Sequence, residues 1–282
     1  MKQTIFHLFF FLLVLSLQAQ EQISVMSYNI RLGSVDDGEN HWNIRKQALV
    51  DLIDYYEPDF LGTQEGQQPQ LDFMAQNLPH YSYVGKPRTN DPNGEFTAIF
   101  YRTDKFEIVE QNTFWMSETP EKISKGWDAA YERISTYVLF KDKTSKKLFW
   151  MMNTHFDHIG KEARRNSALM MISKMEELKK KKDVPIFLTG DFNAVETDEP
   201  IQVLKTKLQD TKNISEKKVY GPDYSFTGFK FPKNETEILD YIFIYPSTKV
   251  KVKKVRVISD FYANGKYPSD HFPILTNFDI SK

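Results

Sequence analysis

Past residue 20 the chain alternates short apolar runs with stretches of helical periodicity, and several apolar runs finish on a polar group. Residues 184–194 show this best. Pro185 opens the run, Ile186, Phe187 and Leu188 are of buried type, Gly190 permits a turn, and Asp191 and Asn193 follow at once. A buried strand that releases an acid and an amide at its end is the usual wall of a ligand crevice in open α/β architectures. An ordinary Asx turn is the plainer account of the same residues. The alternation predicts further strands at 23–30, 60–66, 81–84, 97–101, 106–114, 134–140, 148–153, 238–244, 249–257 and 274–278. Helical spacing predicts one helix with Ile44, Ala48, Leu52 and Tyr55 on its buried face, stopped by Pro58. A second starts at Pro69 and buries Leu71, Met74, Ala75 and Leu78. A third spans 161–180 with Ala168, Met171, Ile172, Met175 and Leu178 inside, and a short one covers 201–208. The lysines at 179–182 suit the C-terminal end of the third helix dipole.

Two stretches break the pattern. Residues 249–257 alternate Lys and Val and slip phase at Lys253 and Lys254, which reads as an edge strand guarded by lysines, with a nucleic-acid strip as the alternative. Residues 117–133 form a long loop carrying Trp127, Tyr131 and Arg133, and a loop of that length in a compact domain is usually functional or disordered. Its aromatic residues could stack on a base, a sugar or a lipid headgroup, or close as a lid.

The first twenty residues differ in kind. Lys2, an apolar run over 5–17 and the small residue Ala19 read as a secretory signal, leaving residues 21–282 as one domain in the periplasm or medium. The run is shorter than the ~20 residues of a membrane-spanning helix, so no stable anchor is expected. There is no Cys, hence neither a disulfide nor a cysteine-linked lipid. Without Lys2 the 37 basic residues fall to 36 against 38 acidic ones, a formal charge of −2, which disfavours a protein held to nucleic acid by a positive field.

The polar groups at run ends are Asn29, Glu65, His155, Asp191, Asn193, Asp240, Asp270 and His271. Carboxylate and amide oxygens from Glu65, Asp270 and Asn29 suit a hard cation, Mg²⁺ or else Mn²⁺ or Ca²⁺. Zinc fits less well, since there are no thiolates and His158 reads as structural. A metal-independent glycosidase with Glu65 and Asp191 as its carboxylate pair would leave Asn193, Asp270 and His271 without a task. A non-catalytic binding module would be expected to lack some of the set.

In chain order the segments Ser27-Tyr28-Asn29, Thr63-Gln64-Glu65, Asn153-Thr154-His155, Gly190-Asp191-Phe192-Asn193, Leu239-Asp240-Tyr241-Ile242 and Ser269-Asp270-His271 resemble the endonuclease/exonuclease/phosphatase superfamily. That group includes deoxyribonuclease I, abasic-site endonucleases, neutral sphingomyelinases, inositol phosphatases and deadenylases. The resemblance implies an α/β fold, a four-layered α/β sandwich of two packed mixed β-sheets flanked by helices. It also implies cation-assisted attack of water on a phosphoester. The enzyme is expected to be a monomer. Carried over by match, Glu65 would be the principal metal ligand, with Asn29 and Asp270 beside it. Asp191 would orient the water, Asn193 would hold a phosphoryl oxygen and His155 would donate to the phosphate. His271, held by Asp240, would be the general base or the electrostatic partner of the phosphate. Arg133 lies where some members present a phosphate-contacting arginine, and a structural ion pair is the alternative. The charge of −2 points to a small, sugar- or lipid-linked phosphoester, with secreted DNA or RNA cleavage as the alternative.

Overall fold

The computed structural model describes residues 21–281 without 92 and 231–236, so the expected signal at 1–20 lies outside the described residues. In order the elements are β1 (Glu21–Asn29), α1 (Trp42–Tyr56), β2 (Phe60–Gly66), α2 (Gln68–Asn77), β3 (Tyr81–Val84), β4 (Phe96–Arg102), β5 (Phe106–Trp115), β6 (Ile134–Asp142) and β7 (Leu148–His155). They continue with α3 (Lys161–Lys181), β8 (Ile186–Asp191), α4 (Glu199–Lys205), β9 (Gln209–Asp210), α5 (Thr211–Ile214), β10 (Asp240–Ile244), β11 (Val250–Val257) and β12 (Ile274–Ile280). Two six-stranded sheets result, ordered β11-β12-β1-β2-β4-β3 and β5-β6-β7-β8-β10-β9. Both are mixed: β1 runs parallel to β2 and β7 to β8, while the remaining pairs are antiparallel.

Three apolar clusters fill the three gaps between four layers. Ile23, Val25, Phe60, Phe149, Met151, Phe187 and Phe278 belong to the cluster between the sheets. Leu49, Ile53, Leu71 and Met74 of α1 and α2 cover the outer face of the first sheet. Ala168, Met171 and Met175 of α3, with Ile201 and Leu204 of α4, cover the second. The side-chain period of two assigns each strand residue to one gap or the other. On β7, Phe149 and Met151 face the other sheet while Trp150 and Met152 face α3.

The same parity carries the polar residues inward. Asn29 continues the row of Ile23 and Val25, Asn153 and His155 continue Phe149 and Met151, Asp191 continues Phe187, and Asp240 continues Ile242 and Ile244. At one end of the sandwich the inner rows therefore change from apolar to polar, and that change creates a site. Just below it lies a buried amide layer. Asn153 accepts from Gln64 Nε2 (2.7 Å) and Thr189 Oγ1 (3.0 Å) and donates to the carbonyls of Thr63 (2.7 Å) and Ala98 (2.9 Å). Only a glycine fits at position 62, where a Cβ would collide with Thr189 and Asn153.

Three expectations need correction. The buried face of α1 is Trp42, Arg45, Leu49, Val50, Leu52 and Ile53, whereas Ile44 and Tyr55 are 54% and 79% exposed. The cause is Arg45, whose buried guanidinium donates to the carbonyls of Ile30 (2.7 Å), Arg31 (2.9 Å), Asn40 (2.9 Å) and Pro268 (2.9 Å) and so turns the helix. The short helix expected at 201–208 is Glu199–Lys205, because Pro200 occupies its first turn. The pair β9 and α5 was not anticipated. The lysine-rich strand is an edge strand, and its register shifts between Val252 and Lys254, where the phase slip was read.

Candidate active site

Glu65 is the exception to the parity rule. By alternation it would face α1 and α2 with Leu61, but the β2–β4 pairing shifts by one residue between Thr63 and Gly66, and Glu65 adopts φ 63°. Bulge and left-handed backbone together turn the carboxylate into the cleft. There Oε1 accepts from Asn29 Nδ2 (3.0 Å) and Oε2 from the Leu32 amide (3.0 Å). Asn29 Nδ2 also donates to Asp191 Oδ2 (2.9 Å), while its Oδ1 accepts from the Arg31 N–H (3.0 Å). An N–H can only donate, so the amide orientation is fixed. Asn29 spaces two carboxylates and would ligate a metal only after turning its amide.

Asp191 and Asp240 face each other across the β8–β10 pair. Asp240 Oδ2 accepts from His271 Nδ1 (2.8 Å), and His271 Nε2 stands 3.7 Å from Asp191 Oδ2. Burial alone would lower the His271 pKa, but Asp240 and Asp191 outweigh it and push it up to about 10. The ring is therefore an imidazolium, which favours the electrostatic role over the general base. Burial, reinforced by Asp240 against the opposing pull of His271, pushes Asp191 up to about 7. Burial also raises Asp270, with His271 opposing it and Glu65 adding to it.

His155 is held well below the usual imidazole range by burial and then by Arg133 and Arg88, so it is neutral. Asn193, at φ 47°, anchors its backbone N–H on Asp191 Oδ1 (2.9 Å) and donates from Nδ2 to the Phe156 carbonyl (3.0 Å) and to His155 Nε2 (3.1 Å). A carbonyl only accepts, which identifies the amide nitrogen, so Nε2 accepts and the His155 proton sits on Nδ1, 3.9 Å from Glu95 Oε2. The expected phosphate donor thus carries no proton on Nε2, whose lone pair Asn193 occupies.

The cleft, about 610 Å³, is lined by Glu65, Arg133, His155, Asp191, Asn193, Asp270 and His271, with Asp240 buried behind His271. Trp127 is not brought to it. It lines a separate hollow with Phe114 and Lys174, because the loop turns at Gly126, where a Cβ would collide with the Met116 carbonyl, and Trp127 itself takes φ 48°. Sequence reasoning missed Arg31, Arg88 and Glu95, which line the cleft, and residues 225–229. The latter hold Asp270 and His271 in place through Thr227 N to Asp270 O (2.7 Å) and Phe272 N to Ser225 O (2.6 Å). Glu95 and residues 225–229 lie in irregular segments with no periodic signal.

Arg133 proves to be both wall and strut. It lines the cleft while Nε lies 3.3 Å from Asp157 Oδ2 and Nη2 3.1 Å from His158 Nδ1. Burial would raise the Asp157 pKa, but the amides of Gly160 (2.7 Å), Ile159 (3.0 Å) and Ala130 (3.1 Å), with Arg133, hold it down to about 2. A folded-state value below the ordinary ~3.9 stabilises the fold fully above about pH 4, and that stabilisation fades as pH falls through 2. Asp157→Asn should therefore melt below the wild type near neutral pH. Melting curves taken downward from about pH 4 should show the gap closing.

A family model described as the Endonuclease/Exonuclease/phosphatase family matches residues 26–271. Among solved structures, an endonuclease/exonuclease/phosphatase family protein from Bacteroides thetaiotaomicron is 37% identical, covering 93% of this chain and 96% of that one, with a TM-score of 0.88. A mannosyl-6-phosphatase from the same species is 38% identical over 91% of this chain and 99% of that one, with a TM-score of 0.86. An uncharacterised protein of Acanthamoeba polyphaga mimivirus is 28% identical over 256 residues, 84% of this chain and 92% of that protein.

Proposed function

The chain belongs to the endonuclease/exonuclease/phosphatase family, and on that premise we propose that it hydrolyses a small phosphoester, sugar- or lipid-linked, with a divalent cation as cofactor. The observation that carries this reading is unspent negative charge. Arg31, Arg88 and Arg133 each face a carboxylate already, Asp37, Glu95 and Asp157 respectively. Glu65, Asp191 and Asp270 converge, and the cations set against them among the described residues are His271, 3.7 Å from Asp191, Arg31, 3.7 Å from Asp270, and Arg45, whose guanidinium is already engaged by four carbonyls. A phosphate would be repelled from such a cleft unless a cation entered with it.

The donors suit a hard ion. Glu65, His155 and Asp191 each offer one ligand atom within 4.8 Å of the others, with Asp270 near by. Oxygen donors favour Mg²⁺, and His155 would join them, extending the range toward Mn²⁺, only once Nε2 gave up the bond from Asn193. A cation held there would neutralise phosphoryl charge and acidify water. The chain's own groups supply the rest. Asp191, buried in the cleft and held by Asn29 Nδ2 and the Asn193 amide, is placed to orient the attacking water and accept its proton. His271, charged and fixed by Asp240, offers Nε2–H to a phosphoryl oxygen, and Arg133 adds charge on the opposite wall.

Support for a small ester comes from the 38% identity to a mannosyl-6-phosphatase and from the formal charge of −2 once residues 1–20 are set aside. At physiological salt with Mg²⁺, phosphate release from a hexose 6-phosphate or a glycerol phosphoester should exceed plasmid cleavage by roughly tenfold or more. Rapid plasmid cleavage with a steep loss in added salt would reverse the assignment.

A further inference from the structure

We propose that a polar groove running on from the catalytic cleft seats the leaving group and selects a polyhydroxylated one, a sugar, over an acyl chain or a nucleotide. The proposal rests on the phosphoesterase reading and narrows it. The groove, about 350 Å³, shares Leu32, Arg88, Glu95 and Tyr131 with the cleft, so an ester whose phosphate lies among Glu65, Asp191 and His271 extends into it.

Its floor is tied together. Gln67 Oε1 accepts from the Ser34 amide (3.0 Å) and Nε2 donates to the Asn93 carbonyl (2.7 Å), joining the loop after β1 to the loop before β4. Tyr131, 48% exposed, forms the wall between cleft and groove. Its ring stacks on His158 with centroids 5.7 Å apart and planes 16° apart, and the Arg88 guanidinium lies 4.9 Å from its centroid. Thr89, Asp91 and Glu132 line the open side, and Asp91 is fixed by accepting from the Asn93 amide (2.7 Å).

These groups discriminate by chemistry. Among the described residues lining the groove Arg88 is the one cation, and it is already paired with Glu95. A nucleic-acid strand carries one charge per ~3.4 Å of its axis, so its next phosphates would meet Asp91 and Glu132. An acyl chain would strip water from carboxylates and amides without replacing the hydrogen bonds. Sugar hydroxyls both donate and accept, and they match carboxylate, amide and threonine partners at once.

The test compares kcat/KM for a hexose 6-phosphate with kcat/KM for p-nitrophenyl phosphate, an ester without hydroxyls, in the full chain with Mg²⁺. The wild type should prefer the sugar ester, and Asp91→Ala/Glu132→Ala should lower that preference about tenfold or more, chiefly through KM of the sugar ester. Asp91→Asn/Glu132→Gln replaces the pair if the alanines depress Tm. Asp91→Lys/Glu132→Lys should in addition let a short oligonucleotide compete. A wild type that cleaves p-nitrophenyl phosphate with no sugar preference, or variants that leave the ratio unmoved, would overturn the groove assignment alone. No phosphate release from either ester would instead bring down the phosphoesterase reading beneath it.

Discussion

Glu65→Gln is expected to lower phosphoester hydrolysis about 10³-fold or more while Tm moves by only a few degrees. The backbone at this position stays at φ 63° and the bulge remains, so the side chain still points into the cleft. Its oxygen can keep one of the bonds from Asn29 and Leu32, while the new NH₂ faces the other donor and forfeits it. Removing one of three converging carboxylates relieves repulsion and offsets part of that loss. The charge that attracts a hard cation is gone, however. A readout independent of turnover follows: Mg²⁺ should raise the wild-type Tm and leave that of the variant unmoved. Full wild-type activity in excess chelator would refute the cation and revive the glycosidase alternative with Glu65 and Asp191.

The second large effect concerns Asp240 and His271 as a unit. His271→Ala is expected to cost about 10²-fold or more, and Asp240→Asn somewhat less. The double variant should be little worse than His271→Ala, because Asp240 acts through the ring it holds at 2.8 Å. It should also be more stable than His271→Ala, which leaves the fully buried Asp240 carboxylate without its partner. The pH profile adds a signed test. The His271 pKa is raised to about 10, so the charged ring is fully present at low pH and is lost as pH rises through that value. Asp240 is the largest of the influences that raise it, so in Asp240→Asn the alkaline loss of activity should move to lower pH. Additive losses in this cycle, with an unmoved alkaline limb, would show that the two residues work independently.

How much could be read in advance depended on whether a signal was local. Strands were legible because alternation is written residue by residue, and Asn29, His155, Asp191 and Asp240 converge because each shares the parity of the core residues of its own strand, which precede the first three and follow Asp240. Glu65 was found by its place at a strand end, although alternation alone sends it to the wrong face. Its direction depends on a bulge that exists only once β2 meets β4. The α1 face was misread because hydrophobicity ranks Arg45 as a surface residue, and only the carbonyls of Ile30, Arg31, Asn40 and Pro268, far apart in the chain, give its charge a buried home. Trp127 was misplaced for a related reason. An aromatic residue in a long loop announces that it will be buried against something, not on which side of the loop. The protonation of His271 and the proton position on His155 were out of reach, since both follow from partners supplied by distant strands.

The position of β12 bears on the order of folding. Among the described residues it is the last strand in chain order, yet it lies inside the first sheet, between β11 and β1, and Asp270 and His271 shortly precede it. As long as β12 is undocked, β1 and β2 can pair only with one edge of β1 left open. The second sheet is contiguous in sequence, running from β5 to β10, and needs no strand from the first to complete its pairing. Completion of the cleft is therefore tied to one long-range pairing, the insertion of β12, which brings the aspartate and the histidine to Asn29 and Glu65.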